Sequence, residues 1–113
     1  MAGLVLDVAA EEFTLGFISD DPWVKALIYK VDGAPAAWPA APVIEFEDAT
    51  VADWVATLSD HTDPDTSVVT ANAVANWTKD ETAVNLLAAA ESKKVRFVVA
   101  GRTWFAGKAV KRA

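Results

Sequence analysis

The single histidine, His61, stands among Asp60, Asp63 and Asp65 in the stretch Ser59-Asp60-His61-Thr62-Asp63-Pro64-Asp65. An imidazole and three carboxylates at this spacing could ligate a hard cation. A calcium loop, however, needs a Gly at its sixth position and a closing Glu, and both are missing. The stretch therefore reads as a solvated, Asp-rich loop, and no metal or other cofactor is expected. The acid pairs Glu11-Glu12, Asp20-Asp21 and Glu47-Asp48 could serve as general acid and base only if both carboxylates met one substrate. Adjacent strand residues point to opposite faces, so they do not converge without a bulge. Ser19, Ser59, Ser67 and Ser92 have only one histidine to draw on and no strained nucleophile elbow. The five glycines are scattered, which leaves no phosphate-cradling loop, and the absence of cysteine removes thiol nucleophiles, thiolate metal sites and disulfides. The chain is not expected to be an enzyme.

The elements that would carry any other function are mostly strands. Val95, Phe97 and Val99 alternate with Lys94, Arg96 and Val98; beyond Ala100-Gly101-Arg102-Thr103, Trp104, Ala106, Lys108 and Val110 alternate with Phe105, Gly107, Ala109 and Lys111. Period two on both arms of a Gly-containing turn predicts a C-terminal hairpin. Upstream, Phe13, Leu15 and Phe17 form one apolar row, closed by Ser19-Asp20-Asp21-Pro22, and Trp23 to Val31 is a third run ended by Asp32-Gly33. Ala34 to Pro42, with three prolines, predicts an extended crossover whose Trp38 plugs the core. Val43 to Phe46, the row Ala52, Trp54, Ala56 and Leu58, and Val68 to Ala75 complete the strands. Thr78-Lys79-Asp80-Glu81 reads as a capping box opening the one helix, with Val84 and Leu87 as its apolar stripe and Lys93 and Lys94 near its negative end. The expected fold is all-β with one short helix, a small antiparallel β-sandwich or partly open barrel closed by the C-terminal hairpin. Residues 1–12 would be an extended N-terminal arm or edge strand, and residues 13–113 a single sandwich domain.

At 113 residues the chain is the size of one domain. Its start lacks a basic segment before the apolar run Leu4-Val5-Leu6, so it is not read as a secretory signal, and no run of apolar residues is long enough to cross a membrane. Net charge is −6, but residues 1–92 hold all sixteen acids against three lysines, whereas residues 93–113 hold seven bases and no acid. The bases fall among strand-patterned apolar residues and not in a loose block, and an acidic chain repels phosphate, so nucleic acid is not an expected partner. Either the basic hairpin lies beside acidic neighbours of the same molecule, or it meets an acidic surface elsewhere. The five tryptophans fill a core whose other positions are often Ala, or they stack on a ligand such as a sugar.

Phe13-Thr14-Leu15, Asp32-Gly33 with Ala36-Ala37-Trp38-Pro39, Phe46 and Trp54 in successive strands, and the closing run Gly101 to Arg112 occur in that order. Together they resemble small β-sandwich virion proteins of tailed phages of actinobacteria, in which a Trp-Pro pair follows an early hairpin and a Trp-aromatic-x-Gly-basic strand ends the domain. Ala40 stands where that group carries a Gly. The resemblance implies a multicopy, non-enzymatic virion component made in the host cytoplasm. The favoured role is a minor capsid or decoration protein in contact with the major capsid protein or other virion proteins; a minor tail or head-to-tail connector protein is the alternative. A carbohydrate-binding module is the reading from another class. Candidate interface residues are Leu4, Val5 and Leu6 of the arm, Trp38, and the basic Arg102, Lys108, Lys111 and Arg112.

Overall fold

The computed structural model describes residues 12–112. The elements run β1 (Glu12–Phe17), β2 (Trp23–Ile28), β3 (Lys30–Val31), β4 (Ala34–Pro35), β5 (Val43–Phe46), β6 (Trp54–Val55), β7 (Thr57–Thr62), β8 (Val69–Lys79), α1 (Glu81–Ala89), β9 (Lys94–Val99) and β10 (Arg102–Lys111). The fold is all-β with one helix, as the periodicity predicts. A five-stranded sheet in the order β1-β10-β9-β5-β6 faces a three-stranded sheet, β2-β8-β7, and β3 and β4 form a small ribbon. Pairings are antiparallel apart from that between the first and last strands, β1 and β10, which is parallel.

The C-terminal hairpin forms where expected, with Val99 opposite Arg102. Its two-residue turn is Ala100-Gly101, both left-handed at φ 52° and 77°, so Arg102 and Thr103 already belong to β10. This is the primed turn whose twist matches that of the strands, and Asp32-Gly33 (φ 50° and 83°) makes the same turn between β3 and β4. An L-residue pays about 1 kcal/mol for the left-handed region, and Gly escapes that penalty. Ala100→Gly is therefore expected to stabilise the protein by up to about 1 kcal/mol, raising its melting temperature by roughly 4 °C in a domain of this size; an unchanged or lower Tm would contradict the turn assignment. Between Thr103 and Phe105 the register slips at a bulge. Trp104, the extra residue, does not join the outward row with Lys108: its ring lies 5.9 Å from Trp38 and 6.4 Å from Phe97, on the core side with Phe105.

Two other expectations are corrected. The row Ala52, Trp54, Ala56, Leu58 is not one strand. Asp48 captures the Thr50 amide at 2.9 Å and the Val51 amide bonds to the Asp48 carbonyl, so the chain turns through 48–51. It then pairs as β6 in one sheet and, after Ala56, as β7 in the other. Trp54 and Leu58 both meet the core, but from opposite layers, which is why the alternation reads as continuous. Likewise, Ser59 to Thr62 is strand and not loop, because β7 continues along β8 past a bulge at Asp60, whose carboxylate accepts the amide of the left-handed Asn72 at 3.1 Å.

Helix α1 starts two residues later than predicted. Thr78 and Lys79 are held in β8, opposite Val24 and Trp23, so Thr78 is not free to cap. Asp80 takes that place, its carboxylate accepting the Ala83 amide at 3.0 Å. Val84 and Leu87 are fully buried and Leu86 is exposed. At the other end the Lys93 ammonium donates to the carbonyls of Ala88 and Ala90, the favourable placement of a cation at a helix C-terminus. The helix closes one end of a core built from Leu15, Phe17, Ile44, Trp54, Trp77, Val95, Phe97 and Phe105. No helix among the described residues is long and apolar enough to cross a membrane.

Candidate interaction surfaces

The strand and loop around His61 hold their carboxylates for backbone duties. Asp63 accepts the amides of Asp65 (2.8 Å) and Thr66 (3.2 Å), which lowers its pKa below the ordinary carboxylate value. Asp60 is committed to Asn72, and His61 lies opposite Thr70 in the ladder. Among the described residues no three His, Cys, Asp or Glu side chains are grouped to hold a metal ion.

Asp48 plays a similar structural part at the other end. It accepts the Thr50 hydroxyl (2.6 Å), the Thr50 amide (2.9 Å) and, through its second oxygen, the Glu91 amide (2.8 Å), tying the β5–β6 loop to the end of α1. These donors favour the charged form, first the Thr50 hydroxyl, and pull the pKa from 3.8 to about 2. A folded-state value below the unfolded one means the contribution is whole above about pH 4 and is lost as pH falls through the folded value. Asp48→Asn is expected to flatten this part of the acid limb. Its Tm should drop less than that of the parent between about pH 5 and about pH 2.5, and parallel profiles would show that Asp48 does not carry the dependence.

The tryptophans belong to the core. Trp38, Trp54 and Trp77 are buried, and Trp23 and Trp104 are half-buried. Trp23 packs on Trp54 (5.2 Å) and Trp77 (6.1 Å), Trp77 and Trp38 both touch Phe97, and Trp38 stacks on Trp104. Trp38, at 4% exposure, is thus not an interface residue in this conformation; it plugs the core behind the Pro-rich crossover. No two rings are displayed together on the surface as a sugar platform.

The remaining interface candidates are separated. Leu4, Val5 and Leu6 lie outside the described residues. Arg102, Lys108, Lys111 and Arg112 are exposed, but Arg102 is at the hairpin turn and Lys111 at the far end of the strand, roughly 30 Å away at strand rise. Two other bases of the hairpin find acids within the molecule: Arg96 meets Glu45 at 2.5 Å and Lys94 meets Glu47 at 4.0 Å, both across the β5–β9 ladder. The outer face of the five-stranded sheet is consequently charged, with a groove of about 810 Å3 lined by Glu47, Lys94, Arg96 and Lys108.

The outer face of the three-stranded sheet is its opposite in character. Register places Val24, Ala26 and Ile28 of β2 beside Thr78, Asn76 and Val74 of β8, with Thr57 and Ser59 of β7 beyond. None of these eight side chains is charged. Val24 is 66% exposed, and Asn76 is held flat by bonds to the Thr57 carbonyl and the Ser59 hydroxyl. Depletion of charge with exposed aliphatic side chains is the mark of the centre of a protein interface. Sequence reading missed this patch, although the apolar side chains on both rows of β2 were a signal for it: only Lys25 and Lys30 interrupt them.

The two sheets also stop short of each other along one side, where β1 and β2 are the edge strands. Between them lies a slot of about 500 Å3 whose floor includes Ile44, Trp77 and Phe97, flanked by Lys25 and Arg112. Trp23 crosses it, its indole N–H donating to the Gly16 carbonyl at 2.9 Å. Comparison of the chain with protein-family models, curated proteins and solved structures finds no match.

Proposed function

We propose that this protein is a non-enzymatic structural component of a tailed-phage particle, a minor capsid or decoration protein held on the shell by protein–protein contacts. The observation that carries the binding role is the uncharged, partly aliphatic outer face of β2-β8-β7 on a chain that is otherwise rich in charge. Such a face gains more from being covered than a charged one does. The phage context comes from the resemblance of Trp38-Pro39 and of the closing strand Trp104 to Arg112. Polar side chains found around His61 and Asp48 are spent on backbone amides, which fits a role performed by surfaces.

The test is incorporation. Val24→Lys places a charge at the middle of the neutral face, where surface substitutions usually shift stability by within about 0.5 kcal/mol. It is expected to lower the amount of protein on purified particles roughly tenfold, equivalent to about 1.4 kcal/mol of contact, with Tm nearly unchanged. Undiminished incorporation would sink this face as the contact, and absence of the parent protein from particles would sink the virion reading. Copy number separates the alternative: a lattice partner is present in many copies, whereas a tail or head-to-tail connector ring has roughly three to twelve.

A further inference from the structure

The slot between β1 and β2 has the dimensions and the exposed backbone of a missing strand. The Phe17 carbonyl accepts the Arg112 amide on the β10 side at 2.7 Å, while the carbonyl of Gly16 turns the other way to meet Trp23. Backbone groups alternate along a strand, so Gly16 and Thr14 both present theirs to the slot. An indole reaches about 6 Å from its Cα by covalent geometry. Added to the hydrogen bond, this sets the two edge backbones on the order of 9 Å apart, close to two ladder spacings. One extended segment fits between them, pairing with both edges and laying one row of side chains on Trp77 and Phe97.

The chain carries a segment of that kind. Leu4, Leu6 and Val8 alternate with Val5 and Asp7, and Asp7 and Glu11 have the charge opposite to Lys25 and Arg112 beside the slot. To reach its own slot the arm would have to double back beside β1, which begins at Glu12. The residues available for that reversal are Ala9-Ala10-Glu11, with no Gly, Pro, Asn or Asp among them to make a tight turn. Continued in an extended direction, residues 4–11 span roughly 26 Å away from β1.

We propose that the β1–β2 slot of one copy receives residues 4–8 of a second copy, so that the arm links neighbouring copies by strand insertion. This deepens the multicopy reading above and rests on it, since single isolated copies would leave slot and arm unmatched.

The chain has no cysteine, so paired thiols report on contact cleanly. Full-length Leu6→Cys and full-length Ala26→Cys, the latter on the slot wall, are mixed with different tags and oxidised. A disulfide-linked heterodimer is expected at a yield several-fold above that of Leu6→Cys with Leu86→Cys, a site exposed on α1. Equal yields from the two mixtures would overturn the proposal. So would a Leu6→Cys/Ala26→Cys double variant that loses both thiols at monomer mass, independently of concentration, because the arm would then fill its own slot. The experiment uses purified protein alone: absence of the protein from particles would defeat the virion reading and leave the slot standing, and a failed cross-link would do the reverse.

Discussion

Phe97→Ala is expected to destabilise the protein by about 3–5 kcal/mol, the range for truncating a buried aromatic ring. Phe97 is 2% exposed and sits on β9, the centre of the five-stranded sheet. Its ring lies within 6.4 Å of four others: Phe105 (5.5 Å), Trp77 (6.1 Å), Trp38 (6.2 Å) and Trp104. It therefore joins the Trp23-Trp54-Trp77 group at one end of the core to the Tyr29-Trp38-Trp104 group at the other. Domains of this kind are stable by only about 5–15 kcal/mol, so the variant stands near the edge of folding. Urea titration followed by tryptophan fluorescence gives the loss directly. A value under about 1 kcal/mol would mean that the rings do not form one connected core.

The second large effect should come from Leu87→Ala, at about 2–5 kcal/mol, against a change within about 0.5 kcal/mol for Leu86→Ala. The two residues are adjacent and chemically identical. Leu87 is fully buried, with Val84 one turn before it, whereas Leu86 is 48% exposed. Only the helix phase set by the Asp80 cap produces this difference, so similar losses from both variants would refute the placement of α1 over the end of the sandwich. Thermal melts of the pair side by side are sufficient. The helix is short, and its order depends on packing more than on propensity.

Much of the architecture was legible in advance because it is local. Alternation marks Leu15 and Phe17, or Val95, Phe97 and Val99, as one buried row whichever strand lies alongside. Trp38 was readable as a core plug because prolines on both sides forbid regular pairing there. The candidate surfaces were far less legible. Whether Lys94 and Arg96 would be neutralised depended on β5 lying beside β9, a pairing between segments 51 residues apart at Glu45 and Arg96. That the outer row of β2 would lie bare, next to an equally neutral row of β8, depended on a ladder of similar range.

What the residues by themselves determined is the period of each strand and the primed turns at Asp32-Gly33 and Ala100-Gly101, because backbone sterics and side-chain alternation act over two to four neighbours. The fold decided the rest. It chose Asp80 over Thr78 as the cap by drawing Thr78 into the sheet, and it divided one apparent strand between two layers at Ala56. It also set β1 parallel to β10, with an open slot on the other side. Each of these outcomes is a competition between contacts distant in sequence, and such competition is resolved only when the whole chain has packed.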